Sequence, residues 1–87
     1  MARYDLVFKA SVSKDLRGIP KKDVAQILKR IESLQDDPRP ALSEKLSGEE
    51  RYRVRQGAYR IIYEIRDQQL IVTVVRIGHR RHVYRAN

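Results

Sequence analysis

Residues 51–66 read RYRVRQGAYRIIYEIR, and this stretch decides the fold. From Arg51 onward the character of the side chains alternates with a period of two, which is typical of a β-strand. The first strand places three arginines on one face, Arg51, Arg53 and Arg55. Tyr52 and Val54 point the other way.

A turn at Gln56-Gly57 leads into a second strand with the same period. One of its faces is apolar and aromatic, made of Tyr59, Ile61, Tyr63 and Ile65. The other face carries Arg60, Ile62, Glu64 and Arg66. In an antiparallel sheet of this kind, one face packs on the core and the other faces solvent. Arg53, Arg55 and Arg60, called the arginine cluster below, are therefore expected to point outward.

Further strands are predicted on both sides of this hairpin. Asp67–Gln69 is a tight reversal, after which Leu70–Ile77 is apolar on both faces, as expected of a central strand. Gly78 is expected to end that strand. Tyr4–Phe8 is rich in β-formers and is a further strand.

Two helices are predicted between the first strand and the hairpin. Ser11 or Ser13 caps a short helix, which Gly18 ends in a left-handed conformation. Pro20 begins a second helix with an apolar stripe at helical spacing, made of Val24, Ile27, Leu28, Ile31 and Leu34. Asp36–Pro40 ends it and starts a loop that runs to about Glu50.

These elements predict one α+β domain over residues 1–87. Its order is β-α-α-β-β-β, with an N-terminal helical hairpin packed on one face of a small, mainly antiparallel sheet. No repeat, linker or second domain is visible in the sequence.

The charge is divided unevenly along the chain. Residues 51–87 hold nine arginines, no lysine and two acids, a net of +7 out of +8 for the whole chain. Arginine offers a planar fork that matches phosphate and stays ionised at any working pH. The C-terminal half therefore indicates a phosphate-facing surface, with nucleic acid as the first partner to consider.

Several classes of protein are disfavoured. The chain has no cysteine, and its two histidines and scattered acids do not match metal-ligand spacing, so neither a metal nor another cofactor is expected. The longest apolar stretch, Leu70–Val75, is far too short to span a bilayer, and no signal-peptide pattern follows Met1. A cytoplasmic protein with no membrane partner is expected.

The arginine cluster is the candidate site. Like charges this close repel each other unless an anion or a carboxylate lies between them. Arg80 and Arg81 extend the cluster, and Tyr84 adds an aromatic ring and a hydroxyl. Two plainer interpretations stay open: arginine is common on a solvated strand face, and Glu64 could neutralise one member.

Metal-free cleavage of RNA by its own 2′-hydroxyl is the reaction that such a site favours. No Ser-His-Asp or Cys-His arrangement and no glycine-rich phosphate loop is visible. Arginines can align the phosphodiester and neutralise developing charge. The proton-transfer group stays open: surrounding cations should lower the pKa of Tyr84, and histidine, here His79 and His82, titrates nearer neutral pH.

The stretches KLSGEERYRVRQGAYRIIYEI (Lys45–Ile65) and QLIVTVVRIGHRRHVYR (Gln69–Arg85) resemble the RelE/ParE superfamily of toxins, and more closely its RelE branch. The resemblance implies a RelE-like fold and a ribosome-dependent endonuclease that cuts mRNA in the A site, without metal. It also implies a RelB-like antitoxin that wraps and blocks the toxin.

The resemblance also implies roles for individual residues. Tyr84 would be the general base, Arg60 would hold the scissile phosphate and Arg80 would stabilise or protonate the leaving oxygen. Arg53 and Arg55 stand where the best-known member has lysines, so they are assigned to phosphate binding. His79, Arg81 and His82 are assigned to RNA binding, and the two histidines are also candidates for proton transfer.

Two alternatives share this fold. A ParE-like toxin would inhibit DNA gyrase without cutting RNA, and would need no catalytic constellation. A toxin homologue that no longer cuts would remain as a module that binds antitoxin or RNA.

Overall fold

The computed structural model describes residues 3–46 and 50–79. Within them the chain forms β1 (Asp5–Phe8), α1 (Ser11–Arg17), α2 (Lys21–Ser33), β2 (Glu44–Lys45), β3 (Arg51–Gln56), β4 (Tyr59–Arg66) and β5 (Ile71–His79). The five strands form one sheet in the order β1-β5-β4-β3-β2. Only β1, which runs parallel to β5, departs from antiparallel pairing in this sheet. The predicted α+β fold with two helices before the hairpin is confirmed.

The core lies between the two helices and one face of the sheet. The helices contribute Val12, Ile27 and Ile31, and Leu34 follows directly after α2; each is at most 1% exposed. The buried side chains of the sheet are Tyr52, Val54, Ile61, Tyr63, Ile65, Val72, Val74 and Ile77. The alternation predicted in residues 51–66 is therefore the alternation between the core and the open face of the sheet.

The β3–β4 hairpin fixes which side chains meet. Tyr52 pairs with Tyr63, and Val54 with Ile61, on the core side. The turn falls at residues 57–58, one position later than predicted, and Gly57 adopts a φ of +60°. Glycine accepts this left-handed conformation without steric cost, which permits a two-residue loop. The short loop and the apolar pairs together lock the register.

A β-bulge interrupts the pairing of β4 with β5. Ile62 pairs with Arg76 and Tyr63 pairs with Val74, so Val75 is an extra residue on β5. The bulge reverses the alternation along β5. Val74 faces the core before it and Ile77 faces the core after it, whereas Arg76 lies on the open face with Ile62.

Three details of the N-terminal half differ from prediction. Ala10, not a serine, occupies the N-cap of α1, and Ser13 Oγ instead donates a hydrogen bond back to the Ala10 carbonyl (3.1 Å). Gly18 has a φ of −88°, so the predicted left-handed end of α1 is wrong. α2 begins directly after Pro20 as predicted, but Leu28 on its stripe stays 39% exposed.

The boundaries of β5 also differ slightly. Leu70 belongs to the turn, where its φ is +56°, and the strand begins at Ile71. Gly78 does not end the strand, which continues to His79. Gly78 lies opposite Arg60 in the sheet.

A short edge strand, β2, was missed. Glu44 and Lys45 pair with Arg53 and Tyr52 inside a segment expected to be loop. Two residues are too few to show a period, so no sequence pattern reveals this strand. Its position matters because it places an acidic residue directly beside the arginine cluster.

The segment leading to β2 is fastened to the sheet by a polar network. The guanidinium of Arg39 donates two hydrogen bonds to the carboxylate of Asp67 (3.0 and 2.8 Å) and one to the Tyr52 hydroxyl (3.0 Å). Tyr4 also donates to Asp67 (2.7 Å), and the buried Tyr63 hydroxyl donates to the Pro38 carbonyl (2.7 Å). These contacts hold residues 38–39 against β3, β4 and the β4–β5 turn.

Asp67 makes this network sensitive to acid. Its hydrogen bonds from Arg39 and Tyr4 lower the pKa of its carboxyl from 3.8 to about 2. A depressed pKa in the folded state stabilises the fold above the unfolded pKa, and this stabilisation is lost as pH falls from about 4 to about 2. Urea unfolding should show wild type more stable than Asp67→Asn at pH 6, with the difference vanishing near pH 2.

Asp36→Asn is the control for this prediction. The Asp36 carboxylate makes a longer contact with Arg3 (3.4 Å) and is 74% exposed, so its removal should change stability little at either pH. Equal effects of the two substitutions would contradict a special role for Asp67.

Candidate phosphate-binding site on the open face of the sheet

The open face of the sheet carries the arginines of β3 and β4. Arg55 lies directly opposite Arg60, next to the turn. Arg53 lies opposite Ile62, and Ile62 in turn lies opposite Arg76 on β5. Side chains directly opposite each other in such a pair have Cβ atoms about 5 Å apart. The register that buries the apolar pairs on one face thus forces guanidinium groups together on the other.

The arginine cluster lines a single cavity of about 440 Å³. The rest of its wall comes from the segment before β2 and from β2 itself, namely Ala41, Leu42, Ser43 and Glu44. The structure therefore brings Arg53, Arg55 and Arg60 together, and their role in binding phosphate stays a prediction.

Arg60 does not point freely outward as predicted. It is 6% exposed, whereas Arg55 is exposed and the side chain of Arg53 is 17% exposed. The reason is its place in the sheet: Arg60 has a paired residue on each side, Arg55 and Gly78, whereas Arg55 is paired only with Arg60 because β2 reaches no further than Arg53. Arg60 is thus a buried cation of the cavity, and Arg55 is an exposed one.

One carboxylate reaches the cluster. Glu44 Oε1 accepts a hydrogen bond from Arg53 Nη2 at 2.8 Å. This bond, the charge of Arg53 and the more distant charges of Arg55 and Arg60 hold the pKa of Glu44 below its usual value. Glu44 is therefore an ionised carboxylate at neutral pH.

The cluster keeps an excess of positive charge. Within residues 3–46 and 50–79, neither Arg55 nor Arg60 forms a salt bridge. Glu64, considered above as a neutralising partner, instead accepts a hydrogen bond from Arg51 Nε at 2.8 Å. Two opposed guanidinium groups without a carboxylate between them make a site suited to an anion with several acceptor oxygens.

His79 lies away from the arginine cluster. It pairs with Tyr59 in the sheet, and the two rings meet edge to face with their centroids 6.0 Å apart. Since the bulge at Val75 reverses the alternation of β5, His79 shares the helix-covered side with Tyr59. There, His79 and Tyr59 line a cavity together with Asp23 and Gln26 of α2. The assignment of His79 to RNA binding is therefore not supported by proximity to the cluster.

The other predicted site residues, Arg80, Arg81, His82 and Tyr84, lie outside the described residues. Among the tyrosines that are described, Tyr63 is a poor base, because burial above all raises its pKa to about 12. Tyr59 and Tyr63 pack in or against the core, as predicted.

Sequence reasoning missed Glu44 as a neighbour of the site and Arg76 as a residue of the open face. Glu44 lies in SEKLSG, where no alternation marks a strand. Arg76 comes to the open face only because of the bulge, and a β-bulge of this kind leaves no clear mark in a continuous run of valines and isoleucines.

Other kinds of site find no support in the part of the chain that the structure describes. No group of three or more histidine and acidic side chains is placed there to hold a metal ion. Neither described helix is long and apolar enough to cross a membrane.

Comparison with known proteins identifies the family to which the chain belongs. Residues 6–84 match the family of the ParE toxin of the type II toxin–antitoxin system, parDE. Because the match spans nearly the whole chain, the protein belongs to the RelE/ParE superfamily of toxins.

Individual relatives point to the RelE branch. A RelE-like toxin protein of Escherichia coli is 30% identical over an alignment of 81 positions, which covers 90% of this chain and 84% of the relative. Toxin RelG of Mycobacterium tuberculosis is 29% identical over 87 residues, covering 94% of this chain and 97% of RelG. A chain of the M. tuberculosis toxin–antitoxin complex RelBE2 superposes with a TM-score of 0.80 at 26% identity, covering 91% of this chain and 93% of its own. The chain is thus a RelE-like toxin of a type II toxin–antitoxin system.

The repulsion between Arg55 and Arg60 can be measured. Arg55→Gln should raise the free energy of unfolding by about 0.5 kcal/mol at low salt, because directly opposed like charges destabilise a sheet. The gain should shrink at about 1 M salt, where charges are screened. Urea unfolding in chloride at both salt concentrations measures this.

Arg66→Gln is the matched control, on the far end of β4 and 62% exposed beside Glu64. Arg66→Gln should leave the free energy of unfolding unchanged or lower it slightly. A loss of stability in Arg55→Gln would show that the cluster is neutralised in the free protein.

Proposed function

We propose that the protein cleaves mRNA on the ribosome, with the arginine cluster holding the scissile phosphodiester. The observation that carries this proposal is the pair Arg55 and Arg60, opposed across the hairpin in one cavity and without a salt bridge among the described residues. A phosphate with two non-bridging oxygens satisfies two guanidinium forks at once.

In the proposed reaction the nucleophile belongs to the RNA. The 2′-oxygen attacks phosphorus, the bond from phosphorus to the 5′-oxygen breaks, and the products are a 2′,3′-cyclic phosphate and a 5′-hydroxyl. The charge that develops on the non-bridging oxygens is met by Arg60, which is fixed by burial, and by Arg55. Such a mechanism needs no metal, because the arginines supply the positive charge and the substrate supplies the nucleophile.

The remaining roles rest on the resemblance. Tyr84 acts as general base and Arg80 stabilises or protonates the leaving oxygen. Arg53 binds phosphate, and Arg81 and His82 contact RNA. His79 lies beside Tyr59 on the helix-covered face of the sheet. The RNA would therefore have to pass around the end of β5 to contact it.

We propose dependence on the ribosome because the described lining of the cavity consists of the arginine cluster, Glu44 and residues 41–43, with no aromatic side chain among them to stack on a base. Phosphate contacts position a nucleic acid without specifying it. In-line attack demands a particular conformation of the RNA backbone. The A site, which holds mRNA as an ordered single strand, would supply it, and this places the toxin in the cytoplasm.

Cleavage should depend on the arginine cluster and on Tyr84. Incubation with mRNA and programmed ribosomes should show cleavage by wild type, and a loss of about 100-fold or more in Arg60→Gln and Tyr84→Phe, because each removes a group from the reacting phosphodiester. Primer extension locates the cuts, and the same mRNA without ribosomes should stay intact.

Arg66→Gln, on the same strand as Arg60 but at its opposite end, should cleave like wild type. Circular dichroism checks that every variant is folded. Full activity in both Arg60→Gln and Tyr84→Phe would show that the site is elsewhere.

A ParE-like activity is the second candidate, because the matching family carries the ParE description. Inhibition of DNA gyrase in a supercoiling assay, with mRNA intact on programmed ribosomes, would establish it. Absence of both activities, with binding to antitoxin or RNA retained, would identify a homologue that no longer cuts.

A RelB-like antitoxin is the proposed protein partner. The related RelBE2 chain was solved in a toxin–antitoxin complex. The strong positive charge of the C-terminal half favours an acidic, partly disordered segment lying across the open face, where it would cover the cluster.

Binding of the antitoxin should weaken as salt rises from 0.05 to about 0.5 M, because screening reduces the attraction between opposite charges. Calorimetric titration with a RelB-like antitoxin that binds this toxin measures the effect. Arg55→Gln should show a smaller salt dependence than Arg66→Gln. An affinity that ignores salt would indicate a purely apolar interface.

A further inference from the structure

Glu44 occupies an unusual position for an acidic residue. It lies on the edge strand β2, opposite Arg53, and its carboxylate lines the cavity of the arginine cluster. The carboxylate accepts a hydrogen bond from Arg53 at 2.8 Å while its side chain stays 64% exposed. It is thus an accessible anion at the mouth of a site proposed to bind another anion.

A carboxylate and a phosphate present similar oxygens to a guanidinium group. Both bind its planar fork through short, charge-assisted hydrogen bonds. An oxygen of Glu44 therefore stands where a phosphate oxygen would stand on Arg53. The two cannot use the same donor of Arg53 at the same time.

We infer that Glu44 is an intramolecular competitor of the RNA phosphate, which binds Arg53 in the free toxin and releases it when a phosphodiester enters. The inference rests on the proposed function, whose site it describes further. It assigns to Glu44 the regulation of RNA affinity, and it gives β2 a role beyond closing the edge of the sheet.

The ion pair between Glu44 and Arg53 is one that breaks easily. Exposed ion pairs are weak, because water screens them and the side chains lose freedom on pairing. β2 has only two residues, so the Glu44 side chain can turn away without disturbing the core. The charge of Glu44 also relieves repulsion within the cluster, so it favours the free state over the RNA-bound state.

As a competitor, Glu44 also sets a minimum negative charge that a ligand must carry to bind the site. A ligand must bring enough negative charge to replace Glu44 and to occupy Arg55 and Arg60 as well. A strand with several phosphates meets this condition better than a single inorganic phosphate ion, since each phosphate that is neutralised releases counterions. Glu44 would thereby keep small cellular anions from occupying the site.

A different role for Glu44 predicts the opposite result. If Glu44 served to position Arg53 for phosphate, removing its charge would weaken RNA binding. A competitor predicts that removing the charge strengthens binding. The sign of the change in affinity therefore separates the two roles.

The test uses Glu44→Gln, which keeps the shape of the side chain and removes its charge. The matched control is Glu50→Gln, because Glu50 is 65% exposed and pairs with Lys45 at 3.6 Å, away from the cluster. Both variants gain one positive charge overall. The probe is a fluorescent 2′-O-methyl RNA oligonucleotide, which lacks the attacking hydroxyl, and anisotropy gives its Kd.

Glu44→Gln should bind the oligonucleotide about 3- to 5-fold more tightly than wild type, the size expected for losing one weak ion pair. The slope of log K against log salt should become steeper by about 0.7, equivalent to one more phosphate neutralised. Glu50→Gln should stay within about two-fold of wild type. Equal binding by the two variants, or weaker binding by Glu44→Gln, would overturn the inference.

A second measurement separates this inference from the proposed function. Urea unfolding in chloride should show Glu44→Gln less stable than wild type, and inorganic phosphate should stabilise Glu44→Gln more than it stabilises wild type or Glu50→Gln. If no variant binds RNA, the proposed function is wrong, and the phosphate comparison still decides whether Glu44 competes with anions. An equal phosphate effect in all three proteins would then refute the competition.

Discussion

The pairing of Arg55 with Arg60 across the β3–β4 hairpin is the constraint on which the site depends. These arginines repel each other, yet neither can move to another register. The same register buries Tyr52 against Tyr63, with their rings stacked 6.0 Å apart between centroids, and a slip of one residue would turn the arginines into the core. The apolar face of the hairpin thus compels the charged face to concentrate positive charge.

The rest of the fold anchors the segment that forms one wall of the cavity around the arginine cluster. The contacts of Arg39 and Tyr63 fasten the segment before β2, which forms one wall of the cavity. Glu44 of β2, which follows that segment, pairs with Arg53. Among the described residues, Arg55 and Arg60 keep no salt bridge. Gathering like charges here costs stability, and the proposed binding of a phosphodiester would offset that cost.

The period of two in residues 51–66 was sufficient to predict the hairpin, its core face and the gathering of Arg53, Arg55 and Arg60. The burial of Arg60 was not predictable, because it depends on what lies beside β4 in the sheet. Glu44 was missed since a two-residue strand has no period. His79 was grouped with the site because it directly precedes Arg80 and Arg81 in the sequence. Nothing in a run of β-branched residues marks the bulge at Val75, which turns His79 to the opposite face.

The central claim is that Arg55 and Arg60 jointly bind one phosphodiester. Its most direct measurement is an NMR titration of the arginine side-chain Nε–H signals with a 2′-O-methyl dinucleotide, which carries a single phosphodiester. The account predicts that the signals of Arg55 and Arg60 shift together along one binding curve, while that of Arg66 stays unchanged. Equal shifts at all arginines, or a response at Arg66 without one at Arg60, would contradict it.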